Sequence, residues 1–161
     1  MYDLHPLIVH IPVGLLTVYS LLELACLLPT IRRRDTLPTK LFLLGVGVLG
    51  ALAALITGSL AGQRVAQTSL ARVVQMHSLF AFLSVLLYAG LAIVSYNFWR
   101  AKHKGTATGF IARLGSSQIF LSLVALVALG SLSITGGLGG IMVYGPDADP
   151  MTHILSVIFH F

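Results

Sequence analysis

The sequence predicts an all-α integral membrane four-helix bundle, with both termini on the outer (periplasmic) side of a bacterial inner membrane. Three observations predict it. The 161 residues are 57% hydrophobic, with a mean hydropathy of +0.93. Charged residues make up 9%, against about 25% in soluble domains. Four apolar stretches reach the roughly 20 residues needed to cross a bilayer core. So few charges cannot cover a water-soluble globule, which excludes a cytosolic enzyme and a disordered chain. The net charge of +5 does not imply nucleic acid as a partner, because Lys and Arg in a lipid-soluble chain act as topology signals. Cys26, the one cysteine, excludes an intramolecular disulfide, a CxxC zinc site and the CxxCH signature of covalent haem.

The predicted spans cover about residues 7–29, 41–62, 77–99 and 114–140, followed by a short outer tail over 145–161, all in one domain 1–161. The first opens Met-Tyr-Asp and its apolar run is longer than the 7 to 15 residues of a secretory signal, so it is expected to stay as a helix. Glu23 ahead of Leu24-Ala25-Cys26 speaks against a lipoprotein cleavage site. The second is rich in small residues: Gly45, Gly47, Gly50, Ala51, Ala53, Ala54, Gly58 and Gly62. Gly45 to Gly50 matches GxGxxG, but the dinucleotide fingerprint must join a strand to a helix. Two readings stay open for these residues, close helix packing of the small-xxx-small kind and a slot for a flat cofactor. The third span opens at His77 and ends near the interfacial aromatics Tyr96 and Trp99. The fourth runs into Gly136, Gly137, Gly139 and Gly140, which mark an end, a bend or a close approach to a cofactor.

Charge placement predicts orientation. Arg32, Arg33, Arg34 and Lys40 lie between spans one and two, and Arg100, Lys102, Lys104 and Arg113 between spans three and four, eight of the ten basic residues. The loop between spans two and three holds Arg64 and Arg72. The positive-inside rule then places the termini and that middle loop outside.

Histidines in a membrane bundle are a functional hypothesis by default. His5 and His10 lie in HPLIVHIP, and His77 in QMHSLF. In the expected orientation all three come to one depth near the outer face. Each could instead hydrogen-bond a neighbouring helix or snorkel to the interface. Opposed imidazoles suit the two axial positions of a haem iron, and three imidazoles suit zinc, copper or non-haem iron. Arg64 and Arg72 are candidate partners for haem propionates. In the tail, His153 and His160 would share a face of a short surface helix, with His153 a weaker ligand candidate. Glu23 lies about 20 Å below His10 at 1.5 Å per residue. It is expected to pair with Arg32 or Lys40, or else to mark a proton or quinone site.

The run HPLIVHIPVGLL, from His5 to Leu16, resembles the opening of a bacterial family of small four-helix membrane proteins long labelled a domain of unknown function, with a His-Pro-x-x-Val-His-Phe-Pro pattern. Ile11 stands at the pattern's Phe. The resemblance extends to His77 and to the glycine-rich run from Gly136 to Gly145. Members occur alone or fused to Rieske-type iron–sulfur domains, so the resemblance implies a redox setting with b-type haem, and it lands on His5, His10 and His77.

The sequence therefore leads to a membrane-bound b-type cytochrome or cytochrome-like subunit. It would carry electrons through one or more haem b groups, and His10 with His77 is the expected axial pair. Such a protein is an electron carrier rather than a stand-alone enzyme. Its partners would be the lipid bilayer, a Rieske-type or c-type redox protein or a quinone. Two alternatives stand beside it, a cofactor-free accessory subunit of a larger respiratory or photosynthetic complex and a tris-histidine metal protein.

Overall fold

The computed structural model describes residues 5–65, 68–105 and 109–161, the side chains of Arg64 and Val65 excepted. Among them are seven helices and no strand: α1 His5–Ala25, α2 Pro29–Arg32, α3 Leu37–Val65, α4 Ala71–Lys104, α5 Phe110–Ser116, α6 Gln118–Tyr144 and α7 Pro150–Phe159. Helices α1, α3, α4 and α6 are long and apolar enough to cross a membrane. The shortest has 21 residues, about 30 Å of helix. Their outer faces carry Phe42, Leu49, Ile56, Phe82, Ile93 and Ile119, each more than half exposed. Exposed apolar surface on this scale is a lipid-facing surface.

Local chemistry moves the boundaries from those expected. Pro6 is tolerated in the first turn of α1 because that turn's N–H groups have no helical partner, so the helix includes His5. Leu28, ahead of Pro29, is extended, as the residue before proline prefers, and the chain restarts there as one-turn α2. Helix α4 begins at Ala71, which places His77 in its second turn, and ends on Gly105 in the left-handed conformation (φ 66°). Ser117 caps α6 by accepting from the Phe120 amide, so the fourth span starts at Gln118 and α5 stays separate. Helix α6 continues through the glycine cluster to Tyr144.

Around the bundle the order of packed neighbours is α1, α3, α4, α6 and back to α1. Helix α1 therefore lies diagonal to α4. Neighbours are antiparallel, since His5, Pro12 and Leu16 of α1 meet Gly58, Gly50 and Gly47 of α3 in turn. Three of the second span's glycines thus let α1 approach closely, as the packing reading expects, and Gly62 takes Val74 of α4. Pro12 breaks the α1 hydrogen-bond ladder where its ring seats against Gly50. The central core is built from Leu16, Tyr19, Leu44, Tyr88, Leu91 and Ala125.

Helix α7 folds back onto the bundle. Its start is secured by a capping box, in which the Asp149 carboxylate accepts from the Thr152 amide and the Thr152 hydroxyl engages the Asp149 backbone. Leu155 and Met151 press on Gly137, and Thr152 on Gly140. The cluster Val73, Leu138, Ile141 and Leu155 closes this end. Gly137 and Gly140 therefore serve a close approach of α7, Gly139 is in ordinary contact with His77, and Gly136 faces open space. His160 is the C-cap of α7, at φ 55°, so it does not continue the helical face of His153.

Candidate cofactor site at the histidine end

The bundle has a histidine end, where α1 and α4 begin, and a basic end, where they finish. At the histidine end two imidazoles meet across the bundle axis. His5 of α1 and His77 of α4 have ring centroids 6.4 Å apart and planes at 85°. Both are partly buried. The two helices come from opposite corners, so only side chains turned to the axis can touch.

Each ring leans on its antiparallel neighbour. His5 Nδ1 lies 3.1 Å from Thr57 Oγ1 of α3. That hydroxyl also sits 3.1 and 3.2 Å from the Ala53 and Ala54 carbonyls, so when its one proton goes to its own helix its oxygen accepts from His5 Nδ1–H. His77 Nδ1–H donates to the Thr135 carbonyl of α6 at 2.9 Å, an oxygen that can only accept. His77 therefore carries its proton on Nδ1 and, in the neutral form, its lone pair on Nε2; His5 takes the same tautomer when the Thr57 hydroxyl donates to its own helix. A ring nitrogen bonded to a carbonyl or hydroxyl while the other ligates is the usual outer-shell arrangement of metal-binding histidines. Gly58 and Gly139 stand beside the ring edges: a Cβ on Gly58 would lie 2.8 Å from His5 Cε1, and one on Gly139 would lie 3.6 Å from His77 Cε1.

The structure brings His77 together with His5, where His10 was expected. His10 is exposed, and its ring Nδ1–H donates to the Pro6 carbonyl of its own helix. It therefore faces away from the axis. Among the described residues no group of three or more His, Cys, Asp or Glu side chains is placed to hold a metal ion. His153 is exposed and bonds Asp147 Oδ1 at 2.9 Å. The Arg72 guanidinium lies 5.9 Å from the Phe161 ring centroid, and the Arg64 side chain is outside the described residues.

The sequence held a signal for His5. The buried stripe of α1 runs Pro12, Leu16, Tyr19, Glu23, and that of α4 includes Ser84, Tyr88, Leu91, Ser95. Both step by four, three and four residues, the spacing of an inward helical seam. Extending each stripe back by seven reaches His5 and His77, and His10 is on neither.

The basic end holds a different polar cluster. Glu23 is fully buried and Lys40 nearly so. Lys40 Nζ lies 3.1 Å from Glu23 Oε2, an ion pair whose angles fall short of a directional hydrogen bond. Gln118 Nε2 donates to Glu23 Oε1 at 2.6 Å and to its backbone carbonyl at 3.0 Å. Lys40 is thus the partner, as one of the two expected pairings had it. Between the two ends Tyr19 and Tyr88 stack edge to face at 6.2 Å, with the Tyr88 hydroxyl 2.8 Å from Ser20 Oγ.

Four apolar spans around an axis with buried polar groups at both ends define a helical transmembrane protein. Residues 2–147 match the family model described as "Predicted membrane protein (DUF2231)", and the chain belongs to that family. No curated protein and no solved structure matches it.

Proposed function

We propose that the protein is a membrane-bound b-type cytochrome, or a cytochrome-like subunit, with His5 and His77 as the axial ligands of a haem at the histidine end. The observation that carries this reading is the imidazole pair across the axis. Two nitrogens each about 2.0–2.1 Å from one metal put their ring centres roughly 6 Å apart, close to the 6.4 Å separation here. A bound haem would supply one-electron chemistry, with its potential set by axial ligands and their outer-shell bonds. The chain's own residues orient the ligands: Thr57 holds His5, the Thr135 carbonyl holds His77, and Gly58 and Gly139 leave the ring edges uncrowded. Eight of ten basic residues fall at the opposite end, in the connections between spans and the helix turns that border them, which supports placing the histidine end on the outer face of a bacterial inner membrane. Electrons would then be exchanged there with a Rieske-type or c-type protein or a quinone.

The test is a reduced-minus-oxidised spectrum of natively purified protein, with a haem-to-protein ratio. A b-type α-band is expected, lost in His5→Ala and in His77→Ala and retained in His10→Ala. A wild type without the band, or an unchanged band in the His5→Ala, His77→Ala double variant, overturns the proposal. Metal without porphyrin would favour a non-haem site, and a stable co-purifying partner with neither would favour an accessory subunit.

A further inference from the structure

At the basic end, three consecutive arginines and a lysine from a different helix converge on one groove. Helix α2 stops at Arg32, and the Arg34 amide bonds back to the Ile31 carbonyl. This tight turn gathers Arg32, Arg33 and Arg34 at one corner. Lys102, from the last turn of α4, closes the far side of a groove of about 280 Å³. Asp35 is the one carboxylate on its wall. Among the described residues, none of these four cations has a carboxylate within ion-pair distance, whereas the buried Lys40 has taken Glu23. Topology signalling needs only that such charges lie on that side of the membrane; it does not need the arginines at the end of α2 to share a wall with a lysine of α4.

The position of the groove selects the ligand. Phe98 and Leu37 form its apolar part, and Leu27 and Leu28, just before α2, are more than half exposed. A cationic rim therefore stands at the edge of the lipid-facing surface. A soluble anion would satisfy the rim alone, and an amphiphile with an anionic head satisfies both. We propose that this groove binds the phosphate headgroup of an anionic phospholipid, with the arginines as hydrogen-bonding forks and the acyl chains running down the adjoining apolar surface.

The test separates a specific site from diffuse charge. Lysine in place of arginine preserves charge and topology but removes the planar fork that grips phosphate bidentately. Purified full-length protein in neutral detergent is titrated with phosphatidylglycerol, phosphatidylcholine or inorganic phosphate, with thermal unfolding as the readout. Phosphatidylglycerol is expected to raise the Tm, and phosphatidylcholine and inorganic phosphate to leave it unchanged. The R32K/R33K/R34K variant should need about tenfold more phosphatidylglycerol, the factor carried by one lost charge-assisted hydrogen bond, while R100K, outside the groove, behaves as wild type. If the triple variant does not fold, R33K and K102Q are titrated in its place, and each should need more phosphatidylglycerol than wild type. An equal response to phosphatidylcholine overturns the proposal, as does a full response to inorganic phosphate. So does an undiminished phosphatidylglycerol response in the arginine-to-lysine variants.

Discussion

At the basic end of the bundle, polarity is buried as full charges, Glu23 facing Lys40 with Gln118 donating to the carboxylate. At the histidine end it is two partly buried imidazoles, each bonded to a threonine of the neighbouring helix. The difference lies in what each arrangement satisfies. The carboxylate and ammonium neutralise one another within the bundle. The histidines are each satisfied at Nδ1 from behind, and their rings then meet across the axis from opposite corners. The imidazole pair is held in place by bonds to the flanking helices, the arrangement the proposed ligand role requires.

The largest expected effect tests the charged cluster. Glu23→Leu leaves the Lys40 ammonium buried without its counter-charge, and breaking a buried pair from one side costs about 3–5 kcal/mol. Replacing both partners, Glu23→Leu with Lys40→Met, should recover most of that, since an apolar pair of similar volume is often neutral or stabilising. Unfolding in detergent, followed by helix signal, measures both. A single variant costing less than about 1 kcal/mol, the scale of an exposed pair, would show that the charges are not buried together, and the contrast with the histidine end would fail.

Much of this architecture was legible in the sequence, and the misses have physical causes. Lipid demands an uninterrupted apolar helix, so four spans stand out from composition alone. Their ends are set by capping, which hydropathy does not see: Ser117 starts α6 and Gly105 ends α4. Glu23 could be expected to pair because an isolated charge in a span is costly. Choosing Lys40 over Arg32 required knowing that Lys40 lies inside α3, whose start at Leu37 precedes the expected Leu41. His10 lies inside the expected first span over residues 7–29 and His5 lies ahead of it, but a proline in a first turn lets the helix include His5. Which of the two turns to the axis depends on direction around the helix, which position along a span does not give.

A smaller effect grades the histidine end. A Cβ on Gly58 would come within 2.8 Å of the His5 ring, so Gly58→Ala must displace that imidazole from Thr57, and the lost hydrogen bond, about 0.5–1.5 kcal/mol, offsets the gain in helix propensity. A Cβ on Gly139 meets the His77 ring at 3.6 Å, an ordinary contact. Gly139→Ala should therefore be neutral, or gain up to about 1 kcal/mol from helix propensity. The same unfolding assay ranks the two variants. Equal costs would mean that the rings do not rest where the two glycines leave room, and the ligand-orienting role proposed for this end would lose its basis.

The smallest effect comes from the middle of the bundle and sets the baseline for both ends. Ser84 of α4 and Ser131 of α6 lie 2.9 Å apart, and both reach the Phe80 carbonyl, at 2.8 and 3.0 Å. Two hydroxyls here share one acceptor, so Ser84→Ala leaves Ser131 still donating to Phe80 and strands no buried group. Interhelical hydrogen bonds of this type average about 0.6 kcal/mol in membrane bundles, and Ser84→Ala should cost no more. Charge burial then accounts for the severalfold larger loss expected at Glu23, because both sites are buried, interhelical and similarly packed. Were Ser84→Ala to cost as much as Glu23→Leu, the loss would reflect disturbed packing of α4 on α6, and the two ends would no longer differ in kind.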